Sequence, residues 1–377
     1  MRRSVKARPR RLLSNRNSLM YPFPMNQKLL RTFSSSISML ALGVVFLVGC
    51  GGSGSETTKD ASGNRRLTVQ LNWFPEPEFG GLYAARENGH FKAQGLEVEM
   101  VKGGANVPAG QMVANGSVQI AVVSAAQLAT LRSQGGKATA VFASFQKAPR
   151  AVLVKKDSKY ESLESLWAGE GNIMADAGLP WTRWVKHKFG DTKLRFVPYS
   201  GSLAPFLSGS VVAMQAFATA EPVQLEAEGK PVRTFLTADT GYNPYDVVLA
   251  VHDGLLEREP DTVRRFVTAL TRGWEDYLEN PAATNAVIGK LNPDFTAATL
   301  ELAASRLPAF VRSPDTESHR LGWMTDERWK TLLDQLVTIG ELTEEKRSGI
   351  GRLHVNPEIE PDSSEGVPGP GGSSENG

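Results

Sequence analysis

Aromatic and acidic side chains follow several short apolar segments of the chain, and their types suit the binding of a flat ring that carries an amine. Trp73 comes just after the apolar segment 67–71, where its indole could stack on a heterocycle. Glu221 follows a second such segment, and its carboxylate could accept a charge-assisted hydrogen bond from an exocyclic amine. Each residue also has a structural interpretation, because Trp73 could pack in a core and Glu221 could serve only to stabilise a helix N-terminus.

Five further residues complete the set of candidate ligand-binding residues. Glu76 lies in the loop that holds the tryptophan, and Ser124 and Asp176 come just before predicted helices. The hydroxyl of Ser124 is also expected to cap the helix that follows it, and a carboxylate at Asp176 would oppose an anionic ligand. Tyr245 could close over a ligand or pack inside a hinge. Tyr83 could contact a ligand but is typical of a core position on a helix.

The sequence shows no pattern of catalytic or metal-binding residues. No GxSxG, Walker or HExxH motif occurs. The histidines lack metal-ligand spacing: His90, His187, His252, His319 and His354. These observations predict no catalytic residue, no metal site and no cofactor.

An internal repeat indicates how the elements that carry these residues are arranged. NGSV at 115–118 matches SGSV at 208–211, and Gly-Lys at 136–137 matches Gly-Lys at 229–230, so the offset is 93 residues in both cases. Each copy is typical of a helix, a glycine stop, a strand, a second helix, a second glycine stop and a second strand. The repeat predicts two similar α/β lobes, each with a mostly parallel sheet covered by helices on both faces.

Parallel sheets bind ligands beyond the carboxyl ends of their strands, and this rule predicts where a site would lie. It selects four stretches of the chain: 72–81, 124–125, 176–180 and 217–221. The remaining strong pattern is helical, with amphipathic runs at 259–277, 297–307 and 326–339. Phe74 alternates with Trp73 and is expected in the core. Glu78 lies in the same loop as Glu76 and could accept from a ligand amine equally well, although an exposed loop carboxylate is usually only solvated.

The ends of the chain predict export and attachment to a membrane. Cys50 is the only cysteine, and it ends the run LVGC at 47–50 after an apolar stretch and upstream cations, which is typical of a lipoprotein signal over 1–49. Translation could begin at Met1 or at Met25. Small and polar residues predict a flexible tether over 50–66.

The remaining divisions follow from composition and from the turn residues. Predicted crossings near 145–150 and 241–246 give lobe 1 as 67–148 plus 244–350, and lobe 2 as 149–243. The tail at 356–377 is predicted to be disordered.

Charge excludes one large class of function. Residues 1–49 carry nine of the 42 Lys and Arg residues and none of the 40 Asp and Glu residues, so the chain from Cys50 onward has a formal charge near −7. An acidic protein is poorly suited to nucleic acid, because binding to phosphates requires a cationic face.

Several motifs resemble a known family of binding proteins. They are LNWFP at 71–75, GLYAA at 81–85, GHF at 89–91, GLEVE at 95–99, NPYD at 243–246 and GWM at 322–324. Together they resemble the solute-binding lipoproteins of ABC importers, and within them the group that shares its fold with the yeast pyrimidine synthase of thiamine biosynthesis.

The resemblance implies a type II periplasmic-binding-protein fold with a ligand cleft between its lobes. It also implies an exported monomer, held by lipid on Cys50, that faces the periplasm or the cell exterior and works with ABC permease and ATPase subunits. The leading ligand is a thiamine-precursor pyrimidine of the formylaminopyrimidine or hydroxymethylpyrimidine type, bound by closure of the lobes. The sequence does not decide whether the inner or the outer membrane holds the lipid.

Alternatives remain within and outside this resemblance. Riboflavin, a sulfonate, taurine or nitrate could be the ligand, and Lys147 or Arg150 pointing into the cleft would favour an anion. The turn 175–181 lacks the serines that the resemblance would imply for a sulfonate or nitrate binder. A pyrimidine-synthase-like enzyme is disfavoured by the single cysteine, and a sensor domain stays open.

Overall fold

A computed structural model of the protein describes residues 59–359. The predicted signal over 1–49, the lipidation site Cys50, most of the tether and most of the tail lie outside the described residues. Within the described part, no helix is long and apolar enough to cross a membrane.

Ten strands form the two sheets. In chain order they are β1 Arg65–Gln70, β2 Leu96–Val101, β3 Ile120–Val123, β4 Ala138–Phe145, β5 Arg150–Lys155, β6 Glu170–Met174, β7 Lys193–Val197, β8 Ala213–Phe217, β9 Val232–Leu236 and β10 Asp246–His252. The strand order is β2-β1-β3-β10-β4 in the first sheet and β7-β6-β8-β5-β9 in the second.

Helices cover these sheets. The first eight are α1 Gly80–Glu87, α2 His90–Ala93, α3 Ala109–Ala114, α4 Ala125–Ser133, α5 Leu163–Trp167, α6 Pro180–Phe189, α7 Ala204–Leu207 and α8 Glu221–Ala227. The next eight are α9 Asp253–Arg258, α10 Pro260–Glu279, α11 Ala282–Leu291, α12 Ala297–Arg306, α13 Pro308–Val311, α14 Pro314–Ser318, α15 Asp326–Thr338 and α16 Glu344–Gly349. Short 3-10 helices occur at Pro77–Phe79 and Thr237–Thr240.

The two sheets confirm the predicted two-lobed α/β fold, with one difference. Each sheet is mixed, because one strand runs antiparallel to its two neighbours: β10 between β3 and β4, and β5 between β8 and β9. Both antiparallel strands follow a crossing from the other sheet. They therefore start at the cleft and run away from it, whereas the parallel strands end there.

The repeat is a structural repeat. A shift of 93 residues places β3 within β8 and carries β4 onto β9. Helix α4 has the predicted limits, and α10 differs from its prediction by one residue at the start and two at the end. The long α10 buries Phe266, Val267, Leu270 and Trp274 against α1, at the 3- and 4-residue spacing of an amphipathic helix.

Two connections join the sheets. Residues 146–149 link β4 to β5, and residues 237–245 link β9 to β10. The backbone N–H of Ala148 in the first connection donates to Oδ1 of Asn243 in the second, over 2.8 Å. The predicted lobe limits fall inside these connections, and we keep them as the proposed boundaries of lobe 1 and lobe 2.

Both ends of the described chain pack on lobe 1. Strand β1 begins two residues before the predicted segment, and Arg65, assigned to the tether, pairs with Glu259 at 2.9 Å. Asn356, assigned to the tail, exchanges hydrogen bonds with the backbone of Met324. Arg65 and Asn356 therefore make specific polar contacts with lobe 1, although composition alone assigns them to flexible segments.

Candidate ligand-binding site

A cavity of about 500 Å³ opens where strands of both sheets end. All four stretches selected from the strand ends contribute to its wall. Their lining residues are Asn72, Trp73, Glu76, Glu78, Ser124, Asp176, Gly178, Leu179, Pro180, Phe217, Ala220 and Glu221. Five of the seven candidate residues, Trp73, Glu76, Ser124, Asp176 and Glu221, therefore lie on one cavity.

Two aromatic rings from opposite lobes face each other in this cavity. Trp73, just beyond β1, stacks on Tyr199, just beyond β7, with ring centroids 6.2 Å apart and an interplanar angle of 30°. A planar ring in van der Waals contact with both faces needs roughly 7 Å between them. A separation of the lobes by about 1 Å would therefore admit such a ring.

Glu221 lies beside the aromatic pair and is held by two donors. One carboxylate oxygen accepts from the Tyr199 hydroxyl, and the other accepts from the Phe217 backbone N–H over 2.8 Å. Burial and the nearby Glu221 charge raise the pKa of Tyr199, so its hydroxyl stays protonated and remains a donor. Each oxygen keeps a lone pair that a ligand amine could use.

Three buried carboxyl groups form the lobe 1 side of the cavity. Burial raises the pKa of Glu76 well above its usual range, and the neighbouring charges of Glu78 and Glu221 raise it further. Burial, followed by repulsion from Asp246, raises the pKa of Glu78 to about 8 against the attraction of Arg150. Burial also raises the pKa of Asp246. At pH 7 the Glu78 carboxyl group is therefore mostly protonated, and it can donate a hydrogen bond as well as accept one.

We expect the protein without ligand to be more stable near pH 5.5 than near pH 8. The pKa of Glu78 in the folded state, about 8, lies above its ordinary value of 4.5. Between these two pH values the folded state therefore binds more protons than the unfolded state. The free energy of unfolding therefore falls as pH rises from the lower value to the higher one. Thermal unfolding across this range is the measurement, and Glu78→Gln should flatten the profile. The exposed Glu87→Gln is the control, and an unchanged slope in Glu78→Gln would contradict the assignment.

Ser124 and Asp176 lie on opposite lobes at the cavity. The hydroxyl oxygen of Ser124 accepts from the Gln127 backbone N–H over 3.2 Å and so caps α4 as predicted. The backbone N–H of Asp176 donates to Oε1 of buried Gln215, which also lines the cavity, over 3.1 Å. Asp176 is exposed and lines the cavity, and its carboxylate accepts from Nε2 of Gln215 over 3.4 Å.

Tyr83 and Tyr245 lie away from the cavity. Tyr83 is buried in the core of lobe 1, because its position on α1 faces the sheet and α10. The ring of Tyr245 packs 6.0 Å from that of Trp329, and its hydroxyl accepts from the Thr325 backbone N–H. We therefore leave both tyrosines out of the proposed site.

The prediction that Phe74 lies in the core is wrong. Its side chain is 45% exposed, because it stands beyond the end of β1 and meets Trp73 edge-on at the rim.

Tyr199, Arg150 and Asp246 line the cavity with polar groups but are not among the seven candidates. Tyr199 comes two residues after the end of β7, so the strand-end rule could have found it. Arg150 and Asp246 are the first residues of the antiparallel strands β5 and β10. A rule about carboxyl ends misses them because these strands begin at the cleft. Among residues 59–359, no group of three or more His, Cys, Asp or Glu side chains could hold a metal ion.

Two known proteins that are similar to this chain are named as binding proteins. The riboflavin-binding protein RibY of Chloroflexus aurantiacus is 24% identical over 282 residues, which cover 70% of this chain and 78% of the relative. The formylaminopyrimidine-binding protein of Halalkalibacterium halodurans is 24% identical over 311 residues, which cover 80% and 93%.

A solved structure confirms the fold. The alkanesulfonate-binding protein SsuA from Xanthomonas axonopodis pv. citri, bound to MOPS, matches with a TM-score of 0.59 at 11% identity. The match covers 79% of this chain and 100% of that one. The sequence pattern of the family described as NMT1/THI5 like matches residues 76–284, which is more than half of the 377 residues. The chain therefore belongs to the NMT1/THI5-like family.

Proposed function

We propose that this chain is the solute-binding subunit of an ABC importer and that it binds a flat, amine-bearing heterocycle. A thiamine-precursor pyrimidine of the formylaminopyrimidine or hydroxymethylpyrimidine type is the leading class. The observation that carries the proposal is the cavity where Trp73 and Tyr199 face each other from opposite lobes beside Glu221. The relative named as a formylaminopyrimidine-binding protein supports this ligand class.

Closure of the lobes on the ligand is the proposed mechanism. A ring can touch both aromatic faces only when Trp73 of lobe 1 and Tyr199 of lobe 2 stand close together. Binding therefore stabilises the closed form, which the permease and its ATPase would recognise. A dissociation constant near 1 μM corresponds to about −8.2 kcal/mol, a value that one stacked ring and a few buried hydrogen bonds can reach.

The charges of the cavity disfavour an anionic ligand. Arg150, whose entry into the cleft would by itself favour an anion, does line the cavity, and it is the one cationic side chain among the described lining residues. Six acidic side chains share the wall with it: Glu76, Glu78, Asp176, Glu221, Asp246 and Glu341. The other cation considered from the sequence, Lys147, pairs with Asp239 at 3.2 Å and does not line the cavity. A sulfonate or nitrate would therefore find a single cationic partner, Arg150, in a wall whose other ionisable side chains are carboxyl groups and the tyrosine hydroxyl.

Riboflavin is the second candidate ligand. The cavity of about 500 Å³ exceeds what one pyrimidine ring fills, and a 24% identical relative is named as a riboflavin-binding protein. A tricyclic ring would use the same two aromatic faces, so only a direct comparison of ligands separates the candidates.

Thermal unfolding against a ligand panel tests the proposal. The full chain with Cys50→Ser, purified without lipid, is melted with aminopyrimidines, thiamine, riboflavin, taurine, an alkanesulfonate and nitrate. At 100 times its dissociation constant a true ligand adds about 2.7 kcal/mol, which raises the melting temperature by several degrees. A rise with anions alone would overturn the ligand class and leave the transport role, and no rise with any compound would contradict the whole proposal.

Export and anchoring through a lipid on Cys50 are part of the proposal. The single cysteine at the end of an apolar segment supports them. Fractionation of cells that produce the wild type or Cys50→Ser measures the anchor, and membrane retention of the variant would argue against it.

A further inference from the structure

Arg150 has hydrogen-bonding capacity that the described residues leave unused. It is the first residue of β5, directly after the connection from lobe 1, and it lines the cavity. Its guanidinium carbon lies 4.5 Å from the centroid of the Phe217 ring. Among residues 59–359 no group accepts a hydrogen bond from this guanidinium, and no carboxylate forms an ion pair with it. A guanidinium offers five N–H donors, so a ligand acceptor at this point would gain partners that the fold leaves free.

A continuous wall connects Arg150 to the aromatic pair. Arg150 and Phe217 are direct partners across β5 and β8. The Phe217 backbone N–H donates to Glu221, which also accepts from the hydroxyl of Tyr199. Arg150 and Phe217 lie on strands of the second sheet, Tyr199 lies in the loop after β7, and Glu221 is the first residue of α8. The wall therefore presents an acceptor for an amine at Glu221 and donors for an acceptor at Arg150.

The surroundings of Arg150 favour a neutral acceptor over a charged one. Glu78 and Asp246 lie close enough to Arg150 for its positive charge to act on both carboxyl groups. That charge opposes the rise that burial causes in the pKa of each. A full negative charge on the ligand would be repelled by Glu221, whose charge acts far enough across the cavity to raise the pKa of both Glu76 and Glu78. A carbonyl, amide or hydroxyl oxygen would accept from the guanidinium without that repulsion.

We propose that Arg150 is a specificity-determining residue that donates to a neutral oxygen on a side arm of the ligand while the ring lies between Trp73 and Tyr199. This inference rests on the proposed function, because it needs a ring in that position. It assigns to Arg150 the recognition of the amide-type or hydroxyl oxygen that the proposed ligands carry on a substituent.

A matched pair of ligands tests the inference. Calorimetry compares a 4-amino-2-methylpyrimidine that carries a formylaminomethyl arm with one that carries only a methyl group at the same position. We expect the wild type to prefer the oxygen-bearing compound by about 10-fold or more, because a hydrogen bond to a charged group is lost with the other. Arg150→Met should reduce this preference to within about 2-fold, and Arg150→Lys, which keeps the charge without the planar fork, should retain part of it.

Lys147→Met is the control, because its side chain is a neighbouring cation away from the cavity, and it should keep the full preference. Equal weakening of both compounds in Arg150→Met would mean that the residue only supports the wall, which would overturn the inference and leave the proposed function. Tighter binding of a sulfonate-bearing analogue than of the formyl compound would overturn the choice of a neutral acceptor. Failure of both pyrimidines to bind the wild type would overturn the inference together with the pyrimidine part of the proposed function.

Discussion

Replacement of Trp73 by alanine is expected to weaken ligand binding by roughly 50-fold or more. The indole provides the lobe 1 face of the aromatic pair, and Tyr199 alone would leave one side of the ring exposed to water. The removed face carries most of the stacking energy that joins the ligand to lobe 1. Calorimetric titration of the strongest ligand from the panel measures the loss.

Phe74→Ala is the matched control for Trp73→Ala. It removes the adjacent aromatic ring, which is 45% exposed and does not line the cavity. We expect at most a few-fold loss, since Phe74 only supports the indole edge-on. Equal losses in the two variants would show that the loop as a whole, rather than the indole face, determines affinity.

Replacement of Glu221 by glutamine is expected to weaken binding of an amine-bearing ring by roughly 10- to 100-fold. The amide keeps the shape of the side chain but removes the charge. Glu221 now accepts one hydrogen bond from the Tyr199 hydroxyl and one from the Phe217 N–H, each on a separate oxygen. The amide leaves only one oxygen for these two donors. Part of the loss is therefore structural, and a second ligand is needed to separate the two effects.

A ring without the exocyclic amine makes this separation. The wild type should prefer the amine-bearing ring, and Glu221→Gln should remove most of that preference. Glu228→Gln, an exposed change at the end of the same helix, should leave affinity and preference unchanged. A preference that survives in Glu221→Gln would assign amine recognition to another carboxyl group of the cavity.

The predictable part of the site comes from the parallel strands. Hydrophobic periodicity and glycine stops located β3 and β8, and the rule for their carboxyl ends then selected Ser124 and Glu221. The same reasoning selected Trp73 after β1. Local sequence is sufficient to place these residues, because a residue that directly follows a buried parallel strand lies at the carboxyl edge of the sheet.

The unpredicted part depends on tertiary structure. The sequence leaves open whether Arg150 points into the cleft, and it does not select Asp246. Both residues reach the cleft because β5 and β10 each enter a sheet antiparallel to its neighbours, and no local pattern reports that direction. Tyr245 was assigned to the site because it lies near a crossing. It is instead buried by Trp329 and capped by Arg328, whose guanidinium carbon lies 3.8 Å from its ring centroid. Both partners come from helix α15, about 80 residues further along the chain.

The antiparallel strand of the first sheet affects the order in which the lobes can be completed during synthesis. Strand β10 lies between β3 and β4, so the first sheet lacks a joining strand until residues Asp246–His252 have been made. All five strands of the second sheet are present once the chain reaches Leu236. A nascent chain of intermediate length can thus pair every strand of its second sheet while its first is still in two parts. Lobe 1 begins first and is completed last. Its side of the cleft can form fully only after β10 has been synthesised, and β10 follows the whole of lobe 2 in the chain.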